Sequence, residues 1–281
     1  MGQPTVGSNP TPSALGHLGT APTAAVRDAF GVRGGAQRLA GGQGGAFLVD
    51  DIVMKPVDDP AETRWTCDLL TRVRSDGFRI SEPVSTTDGQ WVHRGWTATR
   101  FIPGLRSLAP QWGDVIEAGV RFCDAAEHAR RDDDGVLAAR THRWAIADRV
   151  VWGEQTLKLH DDAAELFGDI AAEFVDGVYP RHFVHGDLSG NVFVDEHGTP
   201  VILDVSPYLR PRRWATAIVV CDALLWHNAG PDLADTFAAQ SDRGLLLRAL
   251  AFRLLAEALA SDPTAEQSPF HEYRRVLAAL R

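Results

Sequence analysis

Lysine is nearly absent from this 281-residue chain: Lys55 and Lys158 are the only two among its 28 basic residues. Arginine supplies the rest, as a GC-rich coding genome would favour, so a lysine inside a strand attracts notice. Cysteine is scarce too. Cys67, Cys123 and Cys221 are far apart in the chain and suggest neither a disulfide framework nor a zinc cluster. There is no basic excess: 37 acidic residues give a net charge of −9, without the positive footprint of a general nucleic-acid binder. No apolar run approaches the roughly 20 residues of a membrane span. The first residues lack the basic end and apolar centre of a secretory leader, and Val6 stands where a myristoylation site needs Ser or Thr. A cytoplasmic protein with no membrane or nucleic-acid partner is expected. Also missing are G-x-G-x-x-G, G-x-x-x-x-G-K-[ST] and the G-x-S-x-G elbow, which disfavours Rossmann, P-loop and hydrolase chemistry.

What is present suits two lobes. Hydrophobic residues make up 44% of the chain, enough for a core, and the length is comfortable for two units. Residues 1–22, rich in Pro, Gly, Ser and Thr, predict a flexible tail. Residues 23–101 predict a small lobe. It has a short helix over 24–30, glycines at 41–45, two apolar runs split by Asp50-Asp51, a helix from 60 to about 74, and strand material over 91–101. Residues 102–281 predict a larger helical lobe, with helices over 112–128, 138–159, 163–175, 214–226, 233–239 and 245–260 around a β island at 183–205.

Two hairpins carry the chemistry. In the first, pairing Val49 with Ile52 puts Lys55 opposite Ala46, beside the end of the glycine loop. Backbone amides of such a loop can approach phosphate oxygens, and a lysine alongside adds a point charge. The same residues also fit a flexible loop with a solvated lysine. In the second, His185-Gly186-Asp187-Leu188-Ser189-Gly190-Asn191 leads into one strand and Val201-Ile202-Leu203-Asp204 returns. Pairing Val194 with Val201 places Asn191 opposite Asp204, hard oxygens of the kind Mg²⁺ accepts alongside substrate phosphates. Asp187 lies on the loop just before, within reach of a hydroxyl held near such a metal. An Asx-turn, a solvated cap and a strand-end carboxylate would use the same three residues. Trp214 and Trp226 have the spacing of core residues on a helix, and Asp222 between them could anchor the loop from below or face solvent.

His185-Gly186-Asp187 with Asn191, followed by Ile202-Leu203-Asp204, resembles the catalytic and metal motifs of the aminoglycoside phosphotransferase/choline kinase-like superfamily. The likeness spans roughly residues 30–260 by motif order. It is nearest to an actinobacterial group with similar His-Gly-Asp and Ser-Pro-Tyr segments. The resemblance implies an α+β, two-lobed protein-kinase-like fold: a small β-rich N-lobe, a larger mainly helical C-lobe and ATP at the hinge. It implies that Lys55 contacts the nucleotide phosphates, that Glu62 pairs with Lys55, and that Asp187 is the base or hydroxyl-orienting group. Asn191 and Asp204 would hold Mg²⁺, and His185 would support the loop. Gly42, Gln43, Gly44 and Gly45 would cradle phosphate, and the backbone of 98–101, including Thr99 and Phe101, would read adenine. Glu62 also fits a plain helix-start acid.

The sequence departs from the superfamily in its Asp187-to-Asn191 spacing, which is one residue shorter than usual; Ser189 offers an alternative oxygen. The function so implied is ATP- and Mg²⁺-dependent transfer of phosphate to a small-molecule hydroxyl, on an aminoglycoside-like compound, an amino alcohol or a sugar. The alternative is a nucleotide-binding pseudokinase or regulatory module without turnover.

Overall fold

The computed structural model describes residues 20–39, 45–131, 135–175, 177–240, 243–261 and 270–281. The tail expected over 1–22 lies almost wholly outside them, as do Gly42, Gln43 and Gly44. The fold is two-lobed α+β, with a β-rich small lobe and a helical large lobe. Each lobe has its own hydrophobic cluster.

The small lobe begins with α1 (Ala24–Ala29), capped by the Thr23 hydroxyl. Five strands follow in the spatial order β1 (Gln37–Arg38), β2 (Phe47–Val49), β3 (Ile52–Pro56), β6 (Trp96–Arg100) and β5 (Pro83–Val84). Phe47, Val49, Ile52, Met54, Trp96 and Ala98 bury one face of this sheet against Val26 of α1 and Phe30 just beyond its end. The β2–β3 register is the expected one, with Val49 opposite Ile52 and Phe47 opposite Met54. Asp-Asp makes this turn because Asp50 adopts φ +52°, and its carboxylate accepts the Arg33 and Gly34 amides at 3.0 and 3.2 Å. Gly45 consequently lies against Pro56, 3.2 Å from where a Cβ would sit, so Lys55 does stand beside the end of the glycine segment.

α2 (Pro60–Leu70) starts with Pro at its first turn and Asp59 capping the Ala61 and Glu62 amides. It stops earlier than expected, tightening through Arg72 and Val73 amides bonded three residues back. Its Leu69 and Leu70 join the large-lobe core. β4 (Arg79–Ile80) joins a large-lobe sheet, ordered β4, β10 (Pro200–Ile202), β9 (Val192–Val194), β7 (Arg106–Ser107).

The large lobe packs α3 (Trp112–Ala129), α7 (Trp214–Trp226) and α9 (Arg243–Ala258) together. α7 is buried on every side from Trp214 to Leu225, as a helix with apolar residues on every face is, and its one charged residue, Asp222, is buried with it. α6 (Asp161–Ala171), α8 (Asp232–Gln240) and α10 (His271–Leu280) surround them. α10 was not anticipated, although Tyr273, Val276, Leu277 and Leu280 have helical spacing and are its buried face. Of the helix expected over 138–159 only α5 (Arg143–Val151) forms; a single turn, α4 (Gly135–Ala138), precedes it. His142 caps α5 by accepting the Ala145 amide on Nδ1 at 3.2 Å, and Gly153 at φ +72° follows its end. A two-stranded ribbon, β8 (His182–His185) with β11 (Pro207–Arg210), delivers the His185 loop to the lobe boundary.

Candidate active site

The His185-Gly186-Asp187 loop begins where β8 ends, and its shape follows from three contacts. His185 is fully buried and burial lowers its pKa, so the ring is neutral at pH 7. Nδ1 accepts the Asp187 amide at 3.0 Å, leaving Nε2–H to face the Leu203 carbonyl at 3.4 Å. One neutral imidazole thus ties the Asp187 loop to the residue before Asp204. Gly186 allows the close approach of Tyr208: a Cβ there would lie 2.4 Å from the ring.

Asn191 turns back onto Asp187. Its amide nitrogen donates to the Asp187 carbonyl at 2.7 Å and to Asp187 Oδ2 at 3.0 Å. The register differs by one residue from expectation. Val192 pairs with Ile202 and Val194 with Pro200, and the Leu203 amide donates to the Asn191 carbonyl at 2.9 Å, so Leu203, not Asp204, faces Asn191. The turn closes early because the Asp195 carboxylate accepts the His197 and Thr199 amides at 3.0 and 2.9 Å and Gly198 adopts φ +80°. Asp204 then leaves the strand at φ +45°. Ser189 is not a spare metal oxygen, since it is buried and donates to Asp222 Oδ2 at 2.8 Å.

Lys55 crosses from the small lobe to pair with Asp204. Surrounding protein pushes the Asp204 carboxyl up, and the Lys55 ammonium outweighs that effect, holding it below the usual carboxylate range. About half of this side chain remains exposed, so the charge pair rather than desolvation sets the direction.

Lys55 and Glu62 are not paired. Glu62 binds Arg140 Nη1 at 2.7 Å and His142 Nε2 at 3.1 Å. The reason is packing: Leu69 and Leu70 dock α2 on the large lobe, which puts its first turn at the α4–α5 break. Burial pushes the Glu62 carboxyl up, but the His142 hydrogen bond and the Arg140 charge outweigh it and leave it below its ordinary 4.5. A depressed folded-state pKa stabilises fully above the unfolded value and is lost as pH falls through the folded one. Glu62→Gln is therefore expected to cost about 1.5–3 kcal/mol at pH 7 in urea denaturation, with wild type and variant converging at acid pH. Parallel curves would refute this assignment.

The hinge expectation also changes. Thr99 sits between Val53 and Pro83 in the sheet, and the Arg100 and Phe101 amides donate to Glu82 and Asp51 carbonyls at 2.8 and 2.9 Å. Those two amides are committed to the sheet rather than to adenine; the Phe101 ring is among the exposed large hydrophobics. Trp214 is core, whereas Trp226 is half exposed, a correction to its expected burial. Arg210 is buried on Asp148 and Glu154. The cysteines are buried, and burial pushes Cys67 up to about 11 and Cys123 to about 12, so neither offers a thiolate.

Sequence reasoning missed Arg253. On α9 it donates from Nε and Nη2 to the two oxygens of buried Asp222 at 2.7 and 2.6 Å, and from Nη2 to Asp187 Oδ1 at 3.1 Å. A charged residue inside the apolar stretch Ala251–Ala256 was a readable signal, because a buried charge demands a partner.

Among the described residues no three His, Cys, Asp or Glu side chains converge as a metal site, and no helix is long and apolar enough to cross a membrane. The donor chemistry still fits a hard cation: the Asp204 carboxylate is half exposed, and Asn191, whose nitrogen is spent on Asp187, retains its amide oxygen. One or two protein oxygens are what Mg²⁺ uses when phosphates complete its shell.

No family profile matches the chain, and no curated sequence does. Solved structures do. The amicoumacin kinase hAmiN, in complex with AMP-PNP, Ca²⁺ and Ami, aligns at TM-score 0.57 and 12% identity over 87% of this chain and 86% of that one. Choline kinase LicA from Streptococcus pneumoniae aligns at TM-score 0.50 and 11% identity, covering 88% and 92%. A thermostable mutant of aminoglycoside phosphotransferase APH(4)-Ia, in ternary complex with ADP and hygromycin B, gives TM-score 0.50 and 15% identity, covering 88% and 93%. At these identities the likeness is one of fold: the chain has the protein-kinase-like fold that these enzymes share.

Proposed function

We propose that this chain is a small-molecule kinase, moving the γ-phosphate of ATP to an acceptor hydroxyl on an aminoglycoside-like compound, an amino alcohol or a sugar. The observation that carries the reading is the meeting of Lys55, from the small lobe, with Asp204 at the lobe boundary, tied through Leu203 and His185 to the Asp187 loop. The His-Gly-Asp and Ser-Pro-Tyr segments support reading the chain as akin to an actinobacterial group within the superfamily.

Phosphoryl transfer asks for positioning and charge neutralisation more than covalent chemistry. Lys55 supplies a cation to the phosphates beside Gly45; Gly42, Gln43 and Gly44 lie outside the described residues, and their part in binding phosphate rests on the resemblance. With the Arg100 and Phe101 amides committed to the sheet, Thr99 and Phe101 would border the adenine without those two amides reading it. Asp204 and the Asn191 amide oxygen would hold Mg²⁺, which when bound neutralises phosphate charge. Asp187 accepts a hydrogen bond from the acceptor hydroxyl and aims it in line. As the new O–P bond forms and the β,γ-bridging P–O bond breaks, Asp187 takes the hydroxyl proton and ADP leaves. Glu62 acts here at a distance, by fixing α2 on Arg140 and His142.

The test is calorimetric titration with ATP, with and without Mg²⁺. Wild type is expected to bind, Lys55→Ala to bind about tenfold or more weakly through loss of a charge-assisted contact, and Asp204→Ala to lose the Mg²⁺ dependence. No binding under either condition would end the kinase reading. Binding with no phosphate transfer to any of a panel of aminoglycosides, amino alcohols and sugars would select the pseudokinase alternative.

A further inference from the structure

Asp187 is held at both ends. Asn191 occupies Oδ2 at 3.0 Å and Arg253 occupies Oδ1 at 3.1 Å, so rotation of the carboxylate plane is blocked. The two holders come from different places: Asn191 from the loop itself, Arg253 from α9, which the motif does not include. The shorter Asp187-to-Asn191 spacing accompanies this arrangement, since the Asn191 side chain folds back onto Asp187.

Arg253 is itself fixed on every side. Asp222, 1% exposed, takes two of its N–H groups, while its guanidinium carbon lies 5.2 Å from the Trp144 ring centre and 5.5 Å from that of Trp226. Burial alone would lower its pKa, and Asp222 more than reverses this, so the cation is permanent. The remaining hydrogen of Nη2 is the one aimed at Asp187, with the Gly186 carbonyl at 3.5 Å. Arg253 is 3% exposed whereas the Asp187 side chain is 41% exposed, so the carboxylate is gripped from beneath and open above.

We propose that Arg253 is a positioning residue that sets the orientation of Asp187 from α9, using Asp222 as its anchor. This rests on the reading of Asp187 as the acceptor-side carboxylate. Held by a guanidinium and an amide, Asp187 works as a hydrogen-bond acceptor of fixed orientation. A loose phosphoryl-transfer transition state requires that orientation more than it requires a strong base.

The test uses Mg·ATP with water as acceptor, reading ADP release, in wild type, Asp187→Ala, Arg253→Lys and the double variant Asp222→Leu/Arg253→Met. Lysine keeps a charge for Asp222 but has no fork to serve Asp187 as well. The double variant removes both buried charges together, which a fold tolerates far better than removing one. Both are expected to keep the Mg·ATP KM within about twofold and to lose kcat by about a hundredfold, the scale of a misplaced catalytic group. Wild-type kcat in either, or a kcat that falls only in step with nucleotide affinity and melting temperature, would overturn the proposal. A wild type that neither binds nor hydrolyses ATP would instead fail the kinase reading, and this inference with it; that failure is seen before any variant is compared.

Discussion

Asp187→Ala is expected to lower turnover by about 10³-fold, within the span of a lost acid–base group, while Mg·ATP affinity changes by no more than about twofold. The split follows from position. The groups proposed for the nucleotide lie on the small lobe and at Asp204, whereas Asp187, the residue proposed for the acceptor side, has its oxygens held by Arg253 and Asn191. Asp187→Asn is expected to be nearly as poor despite its equal size. Its carbonyl oxygen can still accept from Arg253, but its nitrogen then meets the Asn191 amide nitrogen, donor against donor. Coupled ADP-release assays with calorimetry on the same samples check both variants. If Asp187→Ala kept more than about a tenth of the wild-type rate, Asp187 would be an element of loop structure and the acceptor side would lie elsewhere.

Why some of this site could be read from the chain and some could not has a physical basis. The β2–β3 hairpin was legible because two short apolar runs flank a two-residue polar turn, and a one-residue slip would turn Phe47 and Val49 outward. The second hairpin was placed one residue out because 195–200 can close in two ways, and the choice is made by the Asp195 carboxylate capturing its own loop amides. The α4–α5 break was hidden by its cap: His142 is not among the usual N-cap residues, yet its ring nitrogen does that work. Glu62 was singled out, but its partners are not the expected Lys55. Its direction is set by where Leu69 and Leu70 pack, a tertiary fact with no local signature. Trp226 followed the helical period of α7 into the core on paper, whereas the helix ends there and leaves the ring half exposed. Asp187, Asn191 and Asp204 could be singled out by type and order; the contacts they make required the fold.

Asp148→Ala is expected to destabilise the large lobe by about 3 kcal/mol, the lower end of the cost of breaking a buried ion pair. Arg210 and Asp148 are both buried, joined by two bonds of 2.9 and 2.6 Å. Burial would lower the Arg210 pKa, but the Glu154 and Asp148 contacts outweigh it, so the cation would stay charged after the loss of Asp148. Glu154, at 2.7 and 2.9 Å on the outer side, is what keeps the cost from being larger. The consequence reaches the site through β11. Arg210 pairs with His182 at one end of the β8–β11 ribbon, and at the other Pro207 pairs with His185 and the Gly186 amide bonds the Ser206 carbonyl at 2.8 Å. Loosening the Arg210 end is expected to increase hydrogen exchange at Phe183 through Gly186 before the whole lobe opens. Asp148→Leu combined with Arg210→Met, which removes the charge along with its partner, is expected to recover most of the loss in urea denaturation. A double variant no more stable than Asp148→Ala would show that β11 is held by the geometry of the pair rather than relieved of a buried charge. Unchanged exchange at Phe183–Gly186 in the single variant would break the link from this ion pair to the Asp187 loop.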